Sequence, residues 1–122
     1  MENEGGFVNT PPLLDGTNYD YWKSRMSAYL KFVDSKTWKV VLKGWEHPVV
    51  LDKDGNKTEV LKLEEEWTAP EDELALAKSK ALNALFNGVD KSMFRLIKKC
   101  NVAKDAWEIL RTAHEGTSKV KS

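Results

Sequence analysis

Three short constellations in this chain have residue types that could do chemistry. Asp52, Asp54 and Asn56 alternate as oxygen donors do in a calcium loop, but that motif needs Gly at its sixth position and Glu at its twelfth. Counted from Asp52, those positions hold Lys57 and Leu63, so a turn between two strands is the better reading. Asp15-Gly16-Thr17 has the composition of an aspartic-protease triplet in the wrong order, and no apolar strand pattern precedes it. Asp and Gly favour turns, so these residues are expected to start a helix instead. Cys100 and His114 would suit a thiol nucleophile and its base, yet no third group supports the pair. His47 and His114 lie far apart and neither belongs to a His-Glu-x-x-His pattern. With one cysteine and two histidines in the whole chain, a zinc site lacks ligands at close spacing. Gly5-Gly6 lacks the Gly-Lys-Ser/Thr that completes a phosphate loop. No catalytic constellation is present, and neither a cofactor nor enzymatic activity is expected.

The composition points the same way. The chain has 122 residues, 41% hydrophobic and 31% charged, which suits one globular domain. Its formal net charge is zero, so bulk electrostatics favour neither nucleic acid nor membrane. No apolar run approaches the ~20 residues needed to span a bilayer. The polar, acidic start Met1-Glu2-Asn3-Glu4 does not read as a secretory signal. The lone Cys100 fits a reducing compartment, so a cytoplasmic location is expected.

The elements expected along the chain are mostly helical. Residues 1–16 hold Gly5, Gly6, Gly16 and Pro11-Pro12 and read as an extended or mobile arm, with Pro11–Leu14 able to dock on the domain. Residues 17–116 form the helical domain and residues 117–122 a tail or truncated linker. Tyr19, Trp22, Met26, Tyr29, Leu30 and Val33 recur at helical spacing, which predicts a helix over Tyr19–Val33 with Asn18 as its cap. Further helices are predicted over Ser35–Lys43, with Trp38, Val41 and Leu42 as its apolar residues, then over Glu71–Asn87, Lys91–Ile97 and Val102–Ala113. Asp34 or Ser35, Asp90 and Asn101 serve as caps, and Gly44, Gly88 and Gly116 as stops. The acidic stretch from Lys62 to Trp67 reads as a short helical turn. Val49–Leu51 and Thr58–Val60 flank an Asp-Gly-Asn turn and read either as a small hairpin or as a disordered loop. The expected core joins Trp22, Met26, Trp38, Leu74, Ala81, Leu85 and Trp107. The fold class is therefore a compact all-α bundle of about five helices with room for one hairpin.

Two surfaces stand out. On the first helix, Tyr21, Ala28 and Phe32 widen the apolar arc to roughly 200°, against about 100° for an ordinary surface helix. Either that helix is buried on several sides, or Tyr21, Arg25 and Phe32 form a self-association surface. Charge is also segregated, with Glu64–Glu66 and Glu71–Glu73 acidic and Lys91, Arg95, Lys98, Lys99 and Lys104 basic. These runs read as solvated faces with helix-dipole compensation, or as contacts between copies. Arg95, Lys98 and Lys99 are candidates for weak contact with RNA or an acidic partner, although no aromatics interleave with them as a base-stacking surface requires. Trp45 and Trp67 flank the irregular segment and are candidates for exposure.

The stretch from Leu14 to Leu30, LDGTNYDYWKSRMSAYL, resembles the opening of copia-type LTR-retrotransposon Gag polypeptides. Three further blocks resemble the same family in family order: Ser79–Val89, Ala103–Leu110 and His114–Ser118. The resemblance spans about residues 11–120. It implies a non-enzymatic structural protein, similar to the N-terminal lobe of a capsid protein, that self-associates weakly and multivalently into particles enclosing RNA. The family usually continues with more helices and a Cys-x-x-Cys zinc knuckle. Neither occurs in this chain, so a truncated or solo lobe is expected, with any RNA packaging carried by regions absent here. The alternative is a domesticated Gag-derived protein–protein interaction module.

Overall fold

The polar turn ahead of the first helix is closed from both sides. The Asp15 carboxylate accepts from the Thr17 backbone N–H at 2.9 Å and from its hydroxyl at 2.8 Å. Asn18 occupies the N-cap position but does not cap with its side chain. It faces backward instead: its Oδ1 accepts from the Asp15 N–H and its Nδ2 donates to the Leu13 carbonyl. The turn competes for the side chain that the helix would otherwise use. The structure, a computed structural model, describes residues 10–116. Residues 1–9 of the arm expected over 1–16, and the tail expected over 117–122, lie outside the described residues.

Helix α1 (Tyr19–Val33) stops at Asp34, whose extended backbone starts α2 (Ser35–Lys43). The Asp34 carboxylate accepts from the Lys36 N–H at 2.8 Å, a standard N-cap. The buried Thr37 hydroxyl lies against the carbonyls of Leu30 and Asp34 and fixes this corner. Helix α2 ends at Gly44, which takes φ +87°, a conformation that favours glycine.

Strands β1 (Val49–Leu51) and β2 (Lys57–Leu61) pair antiparallel as a hairpin with an irregular register. Asp52 holds the turn, accepting from the N–H groups of Asp54 and Asn56 at 2.9 and 2.8 Å. The alternation that resembled calcium ligands is thus an Asx-type turn, and the disordered-loop reading gives way to a hairpin. A 3₁₀ turn at Glu64–Glu66 leads to α3 (Ala69–Asn87). Thr68 and Glu71 cap α3 reciprocally, and Pro70 sits in its first turn. Helices α4 (Lys91–Ile97) and α5 (Ala103–Glu115) complete the fold. Asp90 caps α4 by accepting from the Met93 N–H. The cap expected of Asn101 is absent, because Val102 occupies the N-cap position of α5.

The described residues therefore form a mostly helical fold of five helices with one small antiparallel sheet. Trp22, Met26 and Leu30 of α1 meet Val40 and Val41 of α2, Ala81 and Leu85 of α3, Ile97 of α4, and Ala106, Trp107 and Leu110 of α5. Trp107 stacks on Trp22 at 5.5 Å between ring centroids and meets the edge of Trp38 at 5.3 Å. Trp38 is half-buried against this core. One expected core position, Leu74, and one residue expected on the apolar face of α2, Leu42, lie outside it. Leu74 is 44% exposed, because the buried face of α3 runs through Ala77, Ala81, Ala84 and Leu85. Leu42 is exposed because the inner face of α2 is Thr37, Val40 and Val41.

Candidate interaction surface

The inner face of α1 secures the chain that precedes it. The Trp22 indole N–H lies 3.1 Å from the Pro12 carbonyl and 3.0 Å from the Gly88 carbonyl. Leu14, fully buried, forms a parallel bridge to Val89: its N–H donates to the Gly88 carbonyl at 2.7 Å, and its carbonyl accepts from the Asp90 N–H at 2.9 Å. The expected docking of Pro11–Leu14 is therefore specific, with hydrogen bonds to the α3–α4 junction.

This docking creates a groove of about 590 Å³ between the arm and the outer side of α1. Thr10–Leu13 line one side, and Tyr21, Arg25, Ala28 and Phe32 line the other. Tyr21 is 64% and Phe32 68% exposed, and Leu13 is exposed beside them. Burial of α1 on several sides therefore does not account for its wide apolar arc. The Arg25 guanidinium lies 5.6 Å from the Tyr21 ring centroid, within cation–π range. Its position directs the charge toward the N-terminal end of α1. The three residues singled out from sequence, Tyr21, Arg25 and Phe32, share one surface. The opposing arm was not visible in the periodicity, because Leu14 belongs to no periodic element.

Arg95, Lys98 and Lys99 are exposed on α4 and just after it, and none makes an ion pair among the described residues. They follow the C-terminal end of α3, while Glu64–Glu66, Asp72 and Glu73 flank its N-terminal end. Part of the acidic run is structural. Glu71 completes the Thr68 cap and pairs with Lys62 at 2.9 Å, and the Thr68 N–H and Lys62 hold its carboxyl below the usual glutamate range.

A second groove, of about 650 Å³, lies between the hairpin, the end of α2 and the start of α3. Trp45, His47, Pro48 and Leu74 help line it. Trp45, His47 and Trp67 meet edge-on, and the Lys78 ammonium sits 4.6 Å from the Trp45 ring centroid. Trp45 and Trp67 are thus half-buried in an aromatic cluster. The groove has no periodic signature, so sequence reasoning missed it; only the flanking tryptophans hinted at it.

The remaining reactive residues have structural partners. The Tyr19 ring stacks on His114 at 4.8 Å, and its phenol donates to Glu115 at 2.7 Å. Lys23 donates to the same carboxylate oxygen at 2.8 Å. Burial, followed by the hydrogen bond to Glu115, pushes the Tyr19 phenol well above its ordinary range. Hydrogen bonds from Lys23 and Tyr19 hold the Glu115 carboxyl low. His114 also contacts the Leu110 carbonyl. Burial pushes the Cys100 thiol up, away from thiolate chemistry. Among the described residues, no three His, Cys, Asp or Glu side chains gather as metal ligands, and no helix is long and apolar enough to cross a membrane. Comparison with protein-family models, curated proteins and solved structures gives no match for this chain.

Proposed function

We propose that this chain is a capsid-like assembly lobe, similar to the N-terminal part of a copia-type Gag polypeptide, and that it acts by weak, repeated self-association. The observation that carries the reading is the exposed Tyr21–Arg25–Phe32 surface beside the docked arm. Large aromatic side chains held outward on a rigid helix suit a protein contact. The block resemblance to Gag supplies the kind of partner, which is further copies of the same lobe. Individual contacts in such shells are weak, and many copies together supply the avidity. Arg95, Lys98 and Lys99 would add a weak, salt-sensitive attraction to RNA or to acidic surfaces.

Sedimentation over a rising concentration series tests the reading. The 122-residue chain should be monomeric when dilute and associate when concentrated. Changing Tyr21 and Phe32 together to Ser should reduce association to a weak, charge-driven remainder while leaving the melting temperature unchanged. A double variant that associates like wild type removes α1 from the contact. Stoichiometric capture of a different protein by a lobe that never self-associates would favour the domesticated interaction module.

A further inference from the structure

We infer that the outer stripe of α1 is a two-fold, antiparallel contact with α1 of a second copy. This rests on the self-association proposed above and specifies its geometry. Tyr21, Arg25, Ala28 and Phe32 follow one another at spacings of four, three and four residues. This is the d-a-d-a seam of a helix that packs on another helix. The stripe is also self-complementary when reversed. Around a dyad midway between Met26 and Ser27, Tyr21 falls opposite Phe32 of the second copy, and Arg25 falls opposite Ala28. Reversal therefore sets large against large at both ends and long against small in the middle. A contact of this kind is isologous and closes on itself.

Charge selects the same arrangement. In a parallel pairing the two Arg25 side chains would lie in one layer, like charge against like. In the antiparallel pairing each guanidinium, already drawn toward its own Tyr21, points away from the dyad. It then lies between Tyr21 and Phe32 of the second copy, with an aromatic group on each side. The arm residues Pro11, Pro12 and Leu13 wall the groove, so the contact depends on the docking that Leu14 and Trp22 secure.

The size of the seam sets its strength. Eleven residue steps of helix span ~16 Å, giving a footprint on the order of 200 Å². A stable dimer buries about 800 Å² on each partner. The contact should therefore be transient alone and useful only in an array that contains other contacts.

Cysteine cross-linking reads out the register. In a Cys100→Ser background, Tyr21→Cys and Phe32→Cys chains are oxidised separately and as an equal mixture, at a concentration where wild type associates. In the antiparallel contact the two positions are neighbours, whereas like positions are ~16 Å apart along the helix and beyond disulfide reach. The mixture should give mixed dimers on the order of tenfold above either chain alone. Predominant same-position dimers, or no cross-links while wild type still associates, would overturn the geometry and leave the self-association reading standing. If wild type never associates, both fall. A second pair of variants keeps the aromatics. Arg25→Glu with Ala28→Arg should associate several-fold more tightly than Arg25→Glu alone, because each new carboxylate faces a new guanidinium across the seam. A parallel contact would place like charges together and make the double variant weaker, which would count against the proposal.

Discussion

Gly88 sits where α1, the arm and α3 come closest together. Its φ of −95° is open to any residue, so the requirement for glycine is one of space. A Cβ there would lie 2.3 Å from the Met26 methyl, 2.9 Å from the Ala84 carbonyl oxygen and 2.9 Å from the Pro12 carbonyl oxygen. The methionine can swing aside; the two carbonyls cannot without moving backbone. Gly88→Ala should therefore destabilise the fold by about 1–3 kcal/mol, seen as a lower denaturant midpoint. Trp107 contacts both Trp22 and Trp38, and Trp107→Ala should cost about 3–5 kcal/mol. A near-neutral melting shift would remove it from the core. Glu115 makes a pH prediction. Its carboxyl is held low in the fold by Lys23 and Tyr19, so its contribution is present above the ordinary glutamate value of about 4.3. That contribution is lost as pH falls through the lower folded value. Melting curves of wild type should fall more steeply below pH 4 than those of Glu115→Gln.

Among the elements, the arm is the part whose role the linear pattern conceals. Leu14 is fully buried and hydrogen-bonds to Gly88 and Asp90, so Leu14→Ala should cost about 2–5 kcal/mol. It should also raise amide exchange at Leu14 and Asp90, whose N–H groups both lie in the bridge. Self-association should fall with it, because the groove loses its wall. Helix α1 was legible because Trp22, Met26 and Leu30 fall at helical intervals and all reach the interior. The width of the apolar arc was legible for the same reason, but spacing alone did not separate a flank buried on a second side from the exposed one that Tyr21 and Phe32 form. The hairpin followed from its Asp-Gly-Asn turn, although sequence alone did not separate it from a loop. Leu74 and Leu42 failed because periodicity gives the width of an apolar face and not its centre. Small alanines on α3, and Thr37 on α2, took the inward positions. Asn18 failed because a side chain that suits a cap also suits the turn before it. The arm–α1 groove and the Trp45–His47–Trp67 cluster join residues distant in sequence, and no local spacing encodes those meetings.

At the scale of the whole molecule, the proposed self-association would draw on the separation of charge. Net charge is zero, so copies do not repel one another in bulk. The acidic residues cluster before and at the start of α3, and the basic ones follow its end. From Asp72 to Asn87 the helix rises ~22 Å, well beyond the Debye length of ~8 Å at physiological salt. The two regions therefore do not neutralise each other across the molecule; Glu71 and Glu73 pair with Lys62 and Lys36 of their own chain, which leaves Glu64–Glu66 and Asp72 to meet the opposite charge on another copy. The α1 seam differs, because its aromatic contacts are insensitive to salt. Two attractions of different physical kind give two salt responses. At low ionic strength, wild type should associate through both, and the Tyr21→Ser, Phe32→Ser variant should keep a weaker, charge-driven remainder. Near 1 M salt the Debye length falls to ~3 Å. The variant should then be monomeric, while wild type keeps the association due to the seam. Sedimentation of both proteins at the two salt concentrations measures each part. Equal loss of association by both proteins at high salt would assign it to charge alone and leave α1 no part in assembly.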